Sequence, residues 1–208
     1  MKYVSIDVET TGLKSAEHQM VEFGAVLEDT AKIVHVDQLP SFRAIILQKD
    51  SNYKISPLVM RMHSKLFEEM DLADSEKLRT SEFQLMPESN SLHTAYYCYS
   101  ARLEDLFNTW LMNVNGYSKK GKIIPAGKNF YGFDYTFIEL TMSSTQFHHR
   151  HLDPVAYFTR ATDQEPPKLE LCCERAGIVL KEHHTAVGDA KTVIELIRIG
   201  MSRCLAVR

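Results

Sequence analysis

Asp7 and Glu9 close the first apolar run of the chain, in the order Asp7-Val8-Glu9-Thr10-Thr11-Gly12. Residues 2–9 alternate as a strand does, with successive side chains on opposite faces. Val4, Ile6 and Val8 therefore share one face, and Tyr3, Ser5, Asp7 and Glu9 share the other. Two carboxylates so placed repel, and each favours its protonated form. A hard divalent cation such as Mg²⁺ or Mn²⁺ removes the conflict, because carboxylate oxygens suit it. Taken alone, the pair also reads as two solvated acids at a strand end. Two more acids bear on the choice. Asp134 lies three and four residues before Phe137 and Ile138. Asp189 lies between Ala186 and Val193, on a face that continues to Leu196 and Ile197. Residues at these spacings are neighbours on a helix, so each helix carries a carboxylate on its apolar side. An unpaired buried carboxylate is costly. An ion pair or a rotated helix accounts for one such acid, whereas a shared metal centre accounts for both together with Asp7 and Glu9. His184, five residues before Asp189, has the chemistry of a general base near neutral pH. Its neighbour His183 is the competing position, and either one also reads as a helix-start or surface histidine.

These residues need a scaffold, and 208 residues suffice for one domain with a sizeable core. Hydrophobic content of 44% and charged content of 25% are those of a globular protein. The net charge of -3 gives no global basic field, but bound cations reverse a local potential. The four cysteines have no paired spacing, and adjacent Cys172 and Cys173 read as packing residues, which suits a reduced, cytoplasmic setting. No signal-peptide pattern opens the chain, and no apolar run reaches the length of a membrane span.

Residues 2–9, 20–28 and 41–47 read as three strands of an antiparallel meander. Ser56-Pro57 reads as a helix start. Residues 71–100 are polar, with Pro87 and an Asn/Ser cluster, and read as a loop or surface insertion within a single domain of residues 1–208. Residues 101–115 form the clearest amphipathic helix, stopped by Gly116. Residues 122–129 read as a buried strand entering a turn, 132–142 as a helix, and 148–157 as a short strand followed by a turn at Asp153-Pro154. Two more helices span 168–176, closed by Gly177, and 186–199, closed by Gly200. The order indicates a mixed α/β fold.

The motifs resemble those of the DEDDh (DnaQ-like) 3′→5′ exonucleases, the group that holds polymerase proofreading subunits, RNase T and oligoribonuclease. The family's Asp-x-Glu-Thr-Thr-Gly-Leu matches Asp7 to Leu13. Its Asn-x-x-x-Phe-Asp-x-x-Phe matches Asn129 to Phe137, and its His-x-Ala-x-x-Asp matches His184 to Asp189. All three are intact and in family order. The resemblance implies an RNase H-like fold, a mixed five-stranded sheet with three antiparallel strands first, flanked by helices. It implies that Asp7, Glu9, Asp134 and Asp189 hold two divalent cations, Mg²⁺ with Mn²⁺ as a substitute. It also selects His184 over His183 as the base. Two metals about 3.5–4 Å apart clamp the attacking and leaving oxygens of a phosphodiester, and the products are nucleoside 5′-monophosphates.

By the same resemblance, Thr10, Thr11, Gly12 and Leu13 bind the 3′-terminal nucleotide, with Leu13 against the base. His63 and Asn129 line the pocket, and Phe133 either faces the nucleotide or belongs to the core. The expected substrate is the 3′ end of a single-stranded nucleic acid, DNA favoured over RNA, with little base specificity. A homodimer or a separate polymerase or repair partner is left open. Lys128 departs from the family, where His or a small polar residue precedes the Asn. With Lys119, Lys120 and Lys122 it reads as a phosphate contact, although those three also read as a solvated loop. His148, His149, Arg150 and His151 read as structural or phosphate-contacting rather than as a metal cluster, because consecutive strand residues face opposite ways. The rival reading is an inactive nucleic-acid-binding module on the same fold. It would be expected to lack one of the four acids or His184, and none is missing.

Overall fold

The computed structural model describes residues 1–49, 53–115, 122–179 and 185–206. β1 (Lys2–Thr10) is the predicted first strand, and it pairs antiparallel with β2 (Met20–Asp29) from Lys2 opposite Asp29 to Glu9 opposite Glu22. A bulge between Glu9 and Thr10 ends the regular ladder. β3 (Ser41–Leu47) pairs antiparallel with β2, completing the expected meander. After β3 come α1 (Pro57–Met62), in which Ser56 accepts a bond from the Val59 amide and Pro57 takes a first-turn position, and α2 (Ser64–Asp71).

The expectation of a loop at 71–100 is wrong. This stretch forms α3 (Ser75–Ser81), β4 (Phe83–Leu85) and β5 (His93–Tyr99). β5 pairs parallel with β3 along its whole length, and β4 adds an antiparallel edge. β5 escapes a pattern search because Tyr96, Tyr97 and Tyr99 look polar yet bring large apolar rings. Tyr97 and Cys98 are buried on opposite faces. α3 hangs on an Asp74 cap and on one buried side chain, Leu78. β6 (Pro125–Ala126) pairs parallel with the free side of β1, giving the order β4-β5-β3-β2-β1-β6. The sheet therefore has six strands rather than the expected five.

Helices cover both faces. α4 (Ser100–Asn115) packs Phe107 and Trp110 against Phe42, and Phe107 against Phe23, at ring separations of 5.1–5.7 Å. Val4, Ile6 and Val8 join this layer. On the other face Tyr3 and Val26 meet Val193, Ile194 and Ile197 of α8 (Ala186–Ala206). Between α4 and α8 lie α5 (Asp134–Ile138), α6 (Val155–Phe158) and α7 (Leu169–Ala176). Gly177 closes α7 at φ 79°, as expected.

Three element predictions need correction. The 132–142 helix is only the single turn of α5, flanked by turns. The 148–157 stretch has one isolated bridge, Leu152 to Ala126, after another at Phe147 to Ile123, and then enters α6. Gly200 does not end α8, which continues to Ala206. A Cβ at Gly200 would stand 2.3 Å from the Tyr157 ring, so the glycine serves close packing. Gly116, Lys119 and Lys120 lie outside the described residues. Among the described residues, no helix is long and apolar enough to cross a membrane.

Candidate active site

β1 lies between β2 and β6, and its polar face carries Asp7 and Glu9 towards the start of α8. A Cβ on Gly24, the ladder partner of Asp7, would lie 2.4 Å from the Ala186 carbonyl carbon. Only a glycine lets the helix approach this closely. The Thr185 hydroxyl accepts a bond from the Gly188 amide at 3.2 Å, and the Asp189 amide donates to the Thr185 carbonyl at 3.0 Å. The result places carboxylate oxygens of Asp7, Glu9 and Asp189 within 4.8 Å of one another.

Asp134 is not part of that trio and shares a cavity wall with Asp7. It opens α5 and is 3% exposed, and its Oδ1 accepts a bond from the Val8 amide at 3.2 Å. Its carboxyl is pushed up to about 7 by burial, opposed by backbone bonds and by the charge of Lys128. Burial raises Asp7 well above the usual carboxylate range, and the charges of Asp134, Glu9 and Asp189 add to it. Glu9 is pushed up to about 9, first by burial and then by Glu22, Asp189 and Asp134. A cavity of about 300 Å³ opens on Asp7 and Asp134, with Lys128, Asn129 and Phe133 in its wall.

The other predicted positions divide. His63 is 6% exposed and sets Nε2 3.4 Å from Glu9 Oε2, so it belongs to the cluster. Phe133 lines the cavity and packs its ring 5.4 Å from Phe137, which joins the core and cavity readings. Asn129 adopts φ 55°, and its amide donates to Asp153 at 2.9 Å. Leu13 is 82% exposed. The threonine hydroxyls turn inward instead. Thr10 donates to the Gly12 carbonyl at 2.7 Å, and the fully buried Thr11 exchanges bonds with Gln19. Gly12 is held against the His18 ring, which a Cβ would meet at 2.2 Å. His183 and His184 lie outside the described residues.

Sequence reasoning missed Glu22 and Arg43. Glu22 is fully buried beside Glu9. It accepts one bond from the Arg43 guanidinium and another from the Ala186 amide at 3.3 Å. Burial raises its carboxyl, and Arg43 opposes the rise. The signal was a lone charge within each of two apolar strands, MVEFGAV and SFRAIIL.

No curated protein matches the chain. Among solved structures, cell-death related nuclease 4 (CRN-4) matches with a TM-score of 0.59 and 15% sequence identity. The match covers 98% of this chain and 64% of that one, and it shows the fold. The chain therefore spans less than two thirds of the nuclease it resembles in shape. The Exonuclease family model (RNase_T) matches residues 4–106, which hold Asp7, Glu9 and His63 but neither later motif. Over residues 4–106 the chain is thus similar to the exonuclease family, and the sheet beneath has the RNase H-like fold.

Proposed function

We propose that the protein is a metal-dependent 3′→5′ exonuclease that hydrolyses single-stranded DNA from its 3′ end and releases nucleoside 5′-monophosphates. The observation that carries this reading is the convergence of Asp7, Glu9 and Asp189 within 4.8 Å, with Asp134 buried beside them. Buried carboxylates that raise one another's proton affinity are poorly placed without a cation. The donor set is all oxygen, which fits Mg²⁺ or Mn²⁺. When bound, two such ions supply Lewis acidity to the attacking water and to the leaving 3′-oxygen.

The chain's own groups do the rest. Asp7, which feels the charges of Asp134, Glu9 and Asp189, would hold the cations together with them. The Val8 amide holds one oxygen of Asp134, which fixes the direction of the other. His63 steadies Glu9 through their 3.4 Å contact. His184, in the third motif and outside the described residues, takes the proton of the attacking water in this reading. Leu13 offers an uncovered apolar side chain to the terminal base, while Thr10, Thr11 and Gly12 shape the loop that presents it. Lys128 and Asn129 stand at the cavity wall, where the scissile phosphate would enter.

The test is digestion of 5′-labelled single-stranded DNA and RNA of one sequence with Mg²⁺, Mn²⁺ or EDTA. The expected result is a ladder shortening from the 3′ end, faster on DNA, absent in EDTA and abolished by Asp7→Ala. A faster RNA ladder would reassign the sugar. Near wild-type activity of Asp7→Ala would overturn the metal assignment, and no ladder on either strand would favour a binding module.

A further inference from the structure

Arg43 rises from β3 among three acids from three parts of the chain. Its guanidinium bonds Glu22 of β2, reaches Glu69 of α2 at 2.7 Å and lies 3.7 Å from Glu88. The second oxygen of Glu22 takes the Ala186 amide, at the first residue of α8 and three residues before Asp189. α2 in turn is preceded at its N-cap by His63, the residue that faces Glu9. One guanidinium thus ties together the two elements that bracket the carboxylate cluster.

Stability gives no reason for this arrangement. Replacing a buried ion pair by packed apolar residues is often neutral or stabilising. The neighbours Val21 and Ile45 show that these strands accept apolar side chains. Glu22 also adds negative charge next to Glu9, where an apolar residue would relieve repulsion. Nor is Glu22 free to bind a cation itself, since its oxygens are engaged by Arg43 and Ala186. What the pair supplies is direction. Gly24 lets α8 approach β2, and Glu22, held by Arg43, fixes where the helix begins.

We infer that Glu22 and Arg43 are positioning residues that hold the first turn of α8, and with it Asp189, in register with Asp7 and Glu9. The inference rests on the proposed reading of those acids as cation ligands. The experiment compares the full chain with Glu22→Gln and Arg43→Lys. Glutamine puts an NH₂ donor at one of the two oxygen positions, so it cannot accept from both Arg43 and Ala186 in the present geometry. Lysine keeps the charge but loses the fork that joins Glu22 to Glu69. Three quantities are measured: amide hydrogen exchange at residues 186–190, Mn²⁺ affinity by calorimetry, and kcat and KM on single-stranded DNA.

In Glu22→Gln we expect faster exchange at 186–190 and Mn²⁺ affinity and kcat each down about 10–100-fold, as for other supports of metal ligands, with KM little changed. Arg43→Lys should show the same pattern, several-fold smaller, and it decides the matter if Glu22→Gln does not melt cooperatively. Wild-type exchange and Mn²⁺ affinity in either folded variant would overturn the inference. A wild-type protein that binds no Mn²⁺ would instead sink the reading of the acids, while exchange at 186–190 would still report whether the pair holds the helix.

Discussion

Glu9 carries its carboxyl into a setting that favours the proton, between Glu22 on the next strand and Asp189 on the helix. Such a group is available to a cation because it has so little to lose. Asp134 differs, since the Val8 amide already engages one of its oxygens. Asp7 and Glu9 were legible because strand alternation has a period of two and needs no distant information. Asp134 and Asp189 were legible from the reverse sign, an acid on an apolar helix face. The hydroxyl partners of Thr10 and Thr11 lie within their own loop, a pairing that residue type alone did not show. Glu22 was not legible because its partners stand 21 and 164 residues away. The histidine is tested at this scale too. His184→Ala should lower kcat by about 10²–10⁴-fold, the range of general-base catalysis, with Mn²⁺ binding still measurable by calorimetry. If His183→Ala causes that loss instead, the register of the third motif is wrong.

α8 shows how an element outlasts its local signals. Gly200 reads as a stop, yet the helix passes through it because Tyr157 of α6 occupies the space a side chain would need. Gly200→Ala should gain up to about 1 kcal/mol of helix propensity and lose about 1–3 kcal/mol to overpacking. The expected sum is a lower melting temperature by circular dichroism, and a higher one would show that Tyr157 yields without cost. β5 makes the complementary point. Its tyrosines have no strong alternation of polarity, and its partner β3 lies across α1, α2 and α3 in the chain. Long parallel pairing leaves no local mark, so an interior strand was taken for surface.

At the scale of the molecule, the acid cluster links folding to pH. The carboxyl of Glu9 rises from 4.5 to about 9 in the folded chain, and Asp134 rises from 3.8 to about 7. Between these values the folded state keeps protons that the unfolded state releases, so stability declines as pH rises. The contribution is full below the unfolded values and lost as pH passes the folded ones. In EDTA, the melting temperature should therefore fall from pH 5 to pH 9. Added Mg²⁺ should raise it most at the alkaline end, because ligand binding to the folded state stabilises it. A melting temperature in EDTA that climbs over that range would contradict the burial of these acids.

The contact of Gly24 with Ala186 has a consequence for how the protein can change. At Gly24 the main chain of β2 meets the main chain of α8 at Ala186 and Val187. Rotamers elsewhere in the core can be exchanged, and the protein made sturdier or weaker, without resetting this gap. The spacing of the acid cluster has its own ruler, which separates tolerance of the core to mutation from drift of the site.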